Sequence, residues 1–148
     1  MNAVFEVADA KDGHLDVAIY NPSARVRGPI TELDPEAVRN AIEVTAYGAF
    51  LMAQQAAKRM IPQGTGCILF TGASAGVKGY PNSSSFAMGK FALRGLCQSL
   101  ARELHPQGIH VGHFVIDGGI ENANRAARTS PTDNPDSMLD PDAIADSY

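Results

Sequence analysis

The sequence predicts an α/β fold in which three parallel strands alternate with two long helices. Three observations predict it: apolar runs at residues 15–20 and 66–71, a third run at 109–116 enriched in β-branched residues, and two helical patterns between them. An order of strand, helix, strand, helix, strand requires crossover connections, which are right-handed in nearly all proteins and make the sheet parallel.

Each predicted strand is bounded by residues that interrupt regular structure. The run LDVAIY ends at Asn21-Pro22, GCILFT runs into a glycine-rich segment, and IHVGHFVI follows the breaker at 105–108. The first two runs are nearly continuous in apolar residues rather than alternating. We therefore expect both of them to be buried on two faces of the sheet.

The first long helix is predicted over residues 35–61. Asp34 is a suitable N-cap, Pro35 fits the first helical position, and Pro62 is expected to end the helix. Its core positions recur at helical spacing: Val38, Ile42, Thr45, Ala49, Met52, Ala56 and Met60. The second helix is predicted over 82–105, with repeating Gly89, Leu93, Leu96, Leu100 and Leu104 ahead of Pro106.

A row of small side chains follows one flank of the 35–61 helix: Ala46, Ala49, Ala53 and Ala57. Small residues let another backbone approach closely. The row fits either contact with a second helix across a dimer axis or close packing on the chain's own sheet, and the sequence does not decide between them.

Composition and charge narrow the class of protein. The 148 residues are 45% hydrophobic and 19% charged, with a net charge of −4, which is typical of a soluble globular chain. The sequence has no basic stripe of the kind that nucleic-acid binding needs. Neither a membrane span nor a signal peptide is recognisable in it. We therefore expect a cytoplasmic protein with neither nucleic acid nor a membrane as partner.

The last part of the chain differs in character. Residues 121–148 hold six acids and only two arginines, together with three prolines. The sequence predicts one domain over 1–122 and a polar, acidic loop or flap over 123–148, in which Asp140 and Pro141 would begin a short helix.

Cysteines and histidines give no metal-ligand pattern. Cys67 and Cys97 lack ligand spacing and are predicted to be small buried side chains in a reducing compartment. His110 and His113 lie three apart on a predicted strand, so they should point to opposite faces. No metal is expected.

Four segments, taken in order, resemble the later half of a short-chain dehydrogenase/reductase. They are LDVAIYNPS, the helix ending in TAYGAF, CILFTGASAGVKGYPNSSSFAMGK and HVGHFVIDGGIEN, and the resemblance covers roughly residues 1–122. It implies a partial Rossmann-type three-layer fold and NAD or NADP as hydride carrier. It also implies interconversion of a small-molecule alcohol and its carbonyl compound.

The family's catalytic set of Asn, Ser, Tyr and Lys is depleted in this sequence. Tyrosine and lysine lie four apart on one helix, where the ammonium can stabilise a phenolate. The matching positions hold Phe86 and Lys90, so the lysine is retained and the phenol is absent. Ala73 occupies the serine position and Thr45 the asparagine position.

The resemblance also implies four cofactor contacts. Asn21 follows the first strand, and Lys90 would bind a ribose hydroxyl. Gly118 keeps the glycine of the family's Pro-Gly pair, with Asp117 in place of proline. Ile120 takes the position whose backbone meets the nicotinamide amide.

A complete dinucleotide fingerprint is not found in these 148 residues. The nearest match, residues 71–79, has glycines offset from TGxxxGxG, and Pro81 should delay the following helix. We interpret it as a substrate-side loop. Tyr80 and Ser74 could replace the missing hydroxyls only if they turn inward, and the simpler interpretation is a loop aromatic and a turn residue.

Three functional hypotheses follow. The first is an oxidoreductase homologue that is impaired or inactive as this chain alone. The second is a non-catalytic association module, a homodimer or homotetramer formed through helices 35–61 and 82–105. The third is an active enzyme using Lys90 with a water molecule or Ser74 as proton relay. The first strand has an unpaired apolar edge, so either the chain is a fragment or a partner covers that edge.

Overall fold

A computed structural model describes residues 2–11, 13–121 and 138–148. The chain divides into two compact units, Met1–Val115 and Ile116–Tyr148. The domain boundary predicted at residues 122 and 123 lies outside the described residues. No helix in the described parts has the length and apolarity needed to cross a membrane.

The first unit contains the predicted parallel sheet. Its strands are β1 (Val17–Tyr20), β2 (Gly66–Thr71) and β3 (Ile109–Phe114), arranged in the order β1-β2-β3 with both pairs parallel. The α/β prediction is confirmed. The outer strands are shorter than predicted, because pairing begins two residues later in β1 and stops at Phe114 in β3.

The prediction that β1 is buried on both faces is wrong. Ala18 and Tyr20 are buried, whereas Val17 and Ile19 are 49% and 52% exposed. Apolar composition alone does not reveal that only one face has neighbours. Among the described residues β1 pairs with β2 alone, so it forms an edge, and the inner strand β2 carries the fully covered run 68–70.

The first long helix is interrupted by a wider turn. It consists of α2 (Pro35–Ile42), a π-helical turn (Glu43–Tyr47) and α3 (Gly48–Gln63). The predicted end at residue 61 is two residues short, because Pro62 is accommodated inside the last turn. Asp34 caps α2 as predicted, since its carboxylate accepts hydrogen bonds from the first-turn amides.

The second long helix is α4 (Ser84–Leu104), slightly shorter than the predicted 82–105. A 3₁₀ turn, His105–Gln107, follows it. Gly108 ends that turn with a φ of 79°, a left-handed conformation that glycine adopts without strain. The breaker expected between this helix and β3 is therefore confirmed.

The core joins α3 and α4 to the sheet. Its largest fully buried side chains are those of Phe70, Met60, Ile68, Leu93, Leu104 and Ile109. Ala49 and Ala53, from the small flank of the first helix, are part of this same core. These two alanines therefore serve close packing within the chain.

A short helix that the sequence did not indicate precedes β1. It is α1 (Asn2–Asp9), and Phe5 anchors it in the core. The Arg59 guanidinium lies 4.7 Å from the centre of the Phe5 ring and pairs with the Asp9 carboxylate at 2.5 Å. This hydrogen-bonded cation lowers the pKa of Asp9.

The second unit contains a two-stranded parallel pair. The strands are β4 (Gly119–Ile120) and β5 (Met138–Leu139), and α5 (Pro141–Ala145) follows. Asp140 caps α5 by accepting a hydrogen bond from the Asp142 amide, which confirms the predicted short helix. The part of the predicted loop at 123–137 lies outside the described residues.

Candidate active site

Lys90 is a buried cation on α4. The residue is only 2% exposed, and its Nζ donates a hydrogen bond to the carbonyl oxygen of Thr71 at 2.6 Å. Thr71 ends β2, so the ammonium lies at the carboxyl end of the inner strand. Burial, reinforced by the positive charge of Arg25, lowers the pKa of Lys90 to about 8.

Phe86 lies one helical turn before Lys90. The Lys90 Nζ is 5.7 Å from the centre of the Phe86 ring, as expected for side chains four residues apart on a helix. Such a geometry allows a cation–π contact but no proton exchange, since the ring carries no hydroxyl. Lys90 has no ion-pair partner in the described parts of the chain.

Arg25 is a site residue that sequence reasoning missed. It belongs to the segment after β1, and its Cζ lies 3.9 Å from the centre of the Phe86 ring. A guanidinium over an aromatic ring at this distance forms a close cation–π contact. In the sequence, Arg25 is marked only by its closeness to Asn21, a predicted cofactor contact. That closeness does not indicate which aromatic ring the guanidinium contacts.

Two buried hydroxyls hold the segment around Arg25, residues 24–26, in place. Thr45 Oγ1 accepts from the Ala24 amide at 3.0 Å and donates to the Ala24 carbonyl at 3.4 Å. Ser85 Oγ accepts from the Val26 amide at 3.0 Å and donates to the Val26 carbonyl at 2.8 Å. The residues on either side of Arg25 are therefore anchored through their backbones.

The position of Thr45 depends on close packing between two helices. A Cβ atom at Gly89 would lie only 2.9 Å from the Thr45 Cβ, so glycine is required for this approach. Thr45 lies within the π-helical turn, and the neighbouring Val44 carbonyl accepts a hydrogen bond from Tyr20 Oη at 2.5 Å. The turn is therefore attached both to β1 and to α4.

Ala73 follows β2 in an extended conformation, and a 3₁₀ turn (Ser74–Gly76) comes next. The hydroxyl of Tyr80 donates to Ser74 Oγ at 3.1 Å, and Lys78 Nζ is 5.4 Å from the Tyr80 ring centre. Tyr80 is 41% exposed, so its ring lies at the surface of the loop. This hydrogen bond joins the hydroxyls of Tyr80 and Ser74, the two that could replace the missing catalytic hydroxyls only by turning inward.

The loop after β2 does not connect directly to a helix. β2 ends at Thr71 and α4 begins at Ser84, which confirms that Pro81 delays the helix. A phosphate-binding turn needs the helix N-terminus immediately after the glycine-rich turn. Residues 71–79 therefore lack the geometry of a phosphate-binding turn, and their assignment to the substrate side stays a prediction.

Two further titratable groups lie near Lys90. His113 Nε2 is buried without a hydrogen-bond partner, and burial, with the Lys90 and Arg94 charges, lowers the His113 pKa. Cys97 is buried as predicted, and burial raises its pKa to about 12. Cys67 is only partly buried, contrary to the prediction, because it lies near the start of β2 rather than at its centre.

Three further residues are predicted to contact the cofactor: Asn21, Gly118 and Ile120. Asn21 is exposed directly after β1. Gly118 and Ile120 belong to the second unit, where a Cβ at Gly118 would crowd the Leu139 side chain and Ile120 pairs with Leu139. Within the described residues no group of three His, Cys, Asp or Glu side chains could hold a metal ion.

Comparison with known proteins identifies the family to which the chain belongs. The family model for short chain dehydrogenases matches residues 1–132. Human 17-beta-hydroxysteroid dehydrogenase type 1 is 36% identical over 100 residues, which are 68% of this chain and 30% of that protein. The chain belongs to the short-chain dehydrogenase family.

Solved structures extend the comparison to the fold. A short-chain dehydrogenase from Rhodopseudomonas palustris matches with a TM-score of 0.73 and 31% identity, covering 93% of this chain and 66% of that one. A gluconate 5-dehydrogenase from Burkholderia cenocepacia, solved with NADP and tartrate, shares the fold at a TM-score of 0.79 and 23% identity, covering 87% and 51%. The chain therefore spans only part of the length of these proteins.

Proposed function

We propose that this chain is the nicotinamide- and substrate-binding part of an NAD(P)-dependent oxidoreductase that does not catalyse ordinary alcohol–carbonyl interconversion by itself. The observation that carries the proposal is the pairing of a buried Lys90 ammonium with the hydroxyl-free ring of Phe86. Membership of the short-chain dehydrogenase family supports the reaction class.

The environment of Lys90 fits the ribose end of a nicotinamide cofactor. An ammonium has three donors, and one of them is used by the Thr71 carbonyl. The other N–H groups suit hydroxyl oxygens, which a ribose provides. When bound, the cofactor supplies or accepts the hydride. The family resemblance also assigns cofactor contacts to Asn21, Gly118 and Ile120.

The proton transfer is the step that these residues support poorly. Reduction of a carbonyl needs a proton donor within about 3 Å of its oxygen. Phe86 and Ala73 carry no exchangeable proton on their side chains, and the Thr45 hydroxyl already bonds Ala24 in both directions. Lys90 alone of the four positions retains the family's residue.

The proposal is tested by restoring the missing hydroxyls. In the protein that carries this chain, Phe86→Tyr combined with Ala73→Ser is expected to raise NAD(P)H-dependent turnover of a panel of small alcohols and ketones at least tenfold. Phe91→Tyr is the matched control, because Phe91 is an exposed phenylalanine on the same helix. It adds a phenol away from Lys90 and should leave turnover unchanged.

Cofactor binding is measured separately from turnover. NADH or NADPH should raise the melting temperature of the wild-type chain, and Lys90→Met should reduce that shift. Wild-type turnover at rates ordinary for dehydrogenases would contradict the proposed impairment. Absence of any protection by either nucleotide would contradict the cofactor site.

A second candidate function is that of an association module, and exposed apolar side chains on both long helices favour it. Tyr47 and Phe50 are 57% and 41% exposed and stack with their ring centres 6.1 Å apart. On α4, Met88 and Phe91 are also exposed. Protein contacts are enriched in aromatic residues and methionine, so these side chains suit a homodimer or homotetramer.

Light scattering coupled to size exclusion tests this candidate. Replacing Tyr47 and Phe50 with lysine should convert the oligomer to monomer if the helices associate, whereas lysine at the exposed Val7 of α1 should not. A wild-type chain that is monomeric at high concentration would contradict the association function.

A further inference from the structure

The surroundings of Lys90 favour the neutral amine over the ammonium ion. The residue is 2% exposed, and no carboxylate in the described part of the chain forms an ion pair with it. The Phe86 ring, 5.7 Å from Nζ, is a hydrocarbon surface. The Arg25 guanidinium, whose Cζ is 3.9 Å from the centre of the same ring, adds a like charge. Desolvation and a nearby cation both disfavour the charged form of a lysine.

The phenyl ring at position 86 contributes to this preference. The family resemblance assigns a tyrosine to that position, and a tyrosine can ionise. Its phenolate would keep the Lys90 ammonium in the charged form, because opposite charges stabilise each other. Phe86 cannot ionise. The residue that deprives the site of a proton donor therefore also deprives it of an anion that would hold the proton on the lysine.

Other ionisable groups near Lys90 supply no negative charge around neutral pH. Cys97, on the same helix, has a pKa raised by burial to about 12, so it remains a thiol. His113, on β3, has a pKa lowered by burial and by the charges of Lys90 and Arg94, so its imidazole is neutral. With a pKa of about 8, Lys90 is a neutral amine in about a tenth of the molecules at pH 7.

We propose that the Lys90 amine forms an imine with small, uncharged aldehydes and ketones, which is an activity beyond the proposed function. Lysines that are desolvated in an apolar pocket, or that lie next to another cation, are activated nucleophiles for this reaction. The amine lone pair adds to the carbonyl carbon while an amine proton moves to the oxygen. The resulting carbinolamine then loses water to give the C=N bond, so neither an oxidant nor a phenol is needed.

The place of Lys90 in the fold gives a carbonyl compound a route to the amine. Nζ donates to the carbonyl oxygen of Thr71, the last residue of β2. In open parallel sheets, ligands bind in the crevice outside the carboxyl ends of the strands. For this access the inference rests on the proposed function, which brings ribose hydroxyls to the same Nζ. A protonated imine retains one N–H group, which suits the Thr71 carbonyl oxygen.

Reductive alkylation tests the inference. The wild-type chain is treated at pH 7 with propanal and sodium cyanoborohydride, which converts an imine to a stable secondary amine, and each lysine is followed by peptide mass spectrometry. Lys90 should be propylated at least tenfold faster than Lys58, an exposed lysine on α3. Lys90→Arg keeps the positive charge and should abolish the fast modification without changing that of Lys58. A Lys90 rate no greater than the Lys58 rate would overturn the proposal.

The pH profile distinguishes an activated amine from one that is merely accessible. Above pH 8 most Lys90 amines are neutral, whereas an ordinary exposed lysine gains neutral amine up to about pH 10. The ratio of the Lys90 rate to the Lys58 rate in the same sample should therefore fall at least fivefold between pH 7 and pH 9.5. A constant ratio would overturn the activation of Lys90.

A phenol at position 86 should suppress the reaction. Phe86→Tyr places an acidic group one helical turn from Lys90, and its ionised form would keep the lysine protonated. The Lys90 rate at pH 7 should fall at least threefold in this variant. Phe91→Tyr, at the exposed phenylalanine next to Lys90 in the sequence, is the matched control and should leave the rate unchanged. Equal rates in Phe86→Tyr and the wild type would contradict the part assigned to Phe86.

Competition with the nucleotide separates this inference from the proposed function. Saturating NADH or NADPH should slow the modification of Lys90 at least fivefold and leave that of Lys58 unchanged. Thermal protection by a nucleotide without fast modification of Lys90 would overturn the imine site alone. Fast modification of Lys90 that neither nucleotide slows would support the imine site and contradict the proposed cofactor site.

Discussion

The Lys90 ammonium lies 5.7 Å from the centre of the Phe86 ring, where the family resemblance implies a phenol. A phenol at this distance would benefit from the positive charge, because a nearby cation favours the phenolate form. With a phenyl ring, the charge has no acid to stabilise. What remains is a buried ammonium whose own proton is held less firmly than usual, with a pKa of about 8.

Burial of Lys90 should make stability depend on pH. Its pKa falls from 10.5 to about 8 on folding, so between these values the unfolded chain binds more protons than the folded chain. Lys90 should therefore make a contribution to the free energy of unfolding that rises with pH in this window, by at most about 1.4 kcal/mol per pH unit. Cys97, whose pKa burial raises to about 12, contributes with the opposite sign. Urea unfolding between pH 7.5 and 9.5 measures the slope, and Lys90→Met should lower it by the contribution of Lys90. Equal slopes in the two proteins would contradict the depressed pKa.

Removal of the Thr45 hydroxyl should destabilise the chain. Thr45→Val keeps the shape of the side chain but leaves the Ala24 amide without its partner. An unsatisfied buried amide costs about 1–3 kcal/mol. Thr31→Val, at an exposed threonine, is the control and should change the free energy of unfolding by less than about 0.5 kcal/mol. Similar losses for the two variants would argue against the backbone clamp.

Two glycines on α4 should respond to alanine in opposite ways. Gly89→Ala would place a methyl group against Thr45, and such overpacking costs about 1–3 kcal/mol. A Cβ at Gly95 meets nothing within 4 Å, so Gly95→Ala should stabilise the helix by about 0.5–1 kcal/mol. Thermal unfolding of both variants tests the difference. Stabilisation by Gly89→Ala would contradict the close helix contact.

The exposed face of β1 should promote self-association of the 148-residue chain. Val17 and Ile19 project apolar surface from an edge strand, which favours pairing with other chains. Replacing both with threonine retains β-propensity and lowers the apolar area. Light scattering of concentrated samples should show less aggregation than in the wild type. Val4→Thr, on α1, serves as the control and should leave aggregation unchanged.

Patterns of neighbouring residues predicted much of the fold. The three strands, the caps at Asp34 and Asp140 and the four-residue spacing of Phe86 and Lys90 depend on local chain geometry, and the structure has all of them. The π-helical turn and the exposed face of β1 could not be predicted, because both depend on which surfaces the rest of the molecule covers.

The amino-acid sequence by itself determined which chemical groups this chain carries: a lysine at position 90, and no hydroxyl at the two positions, 86 and 73, that the family resemblance assigns to tyrosine and serine. Only the tertiary structure decided that Arg25 lies over the ring of Phe86. That contact depends on hydroxyl–backbone bonds spanning 21 and 59 residues of chain. Such bonds form only after the two helical segments have packed together, so no local pattern of residues encodes them.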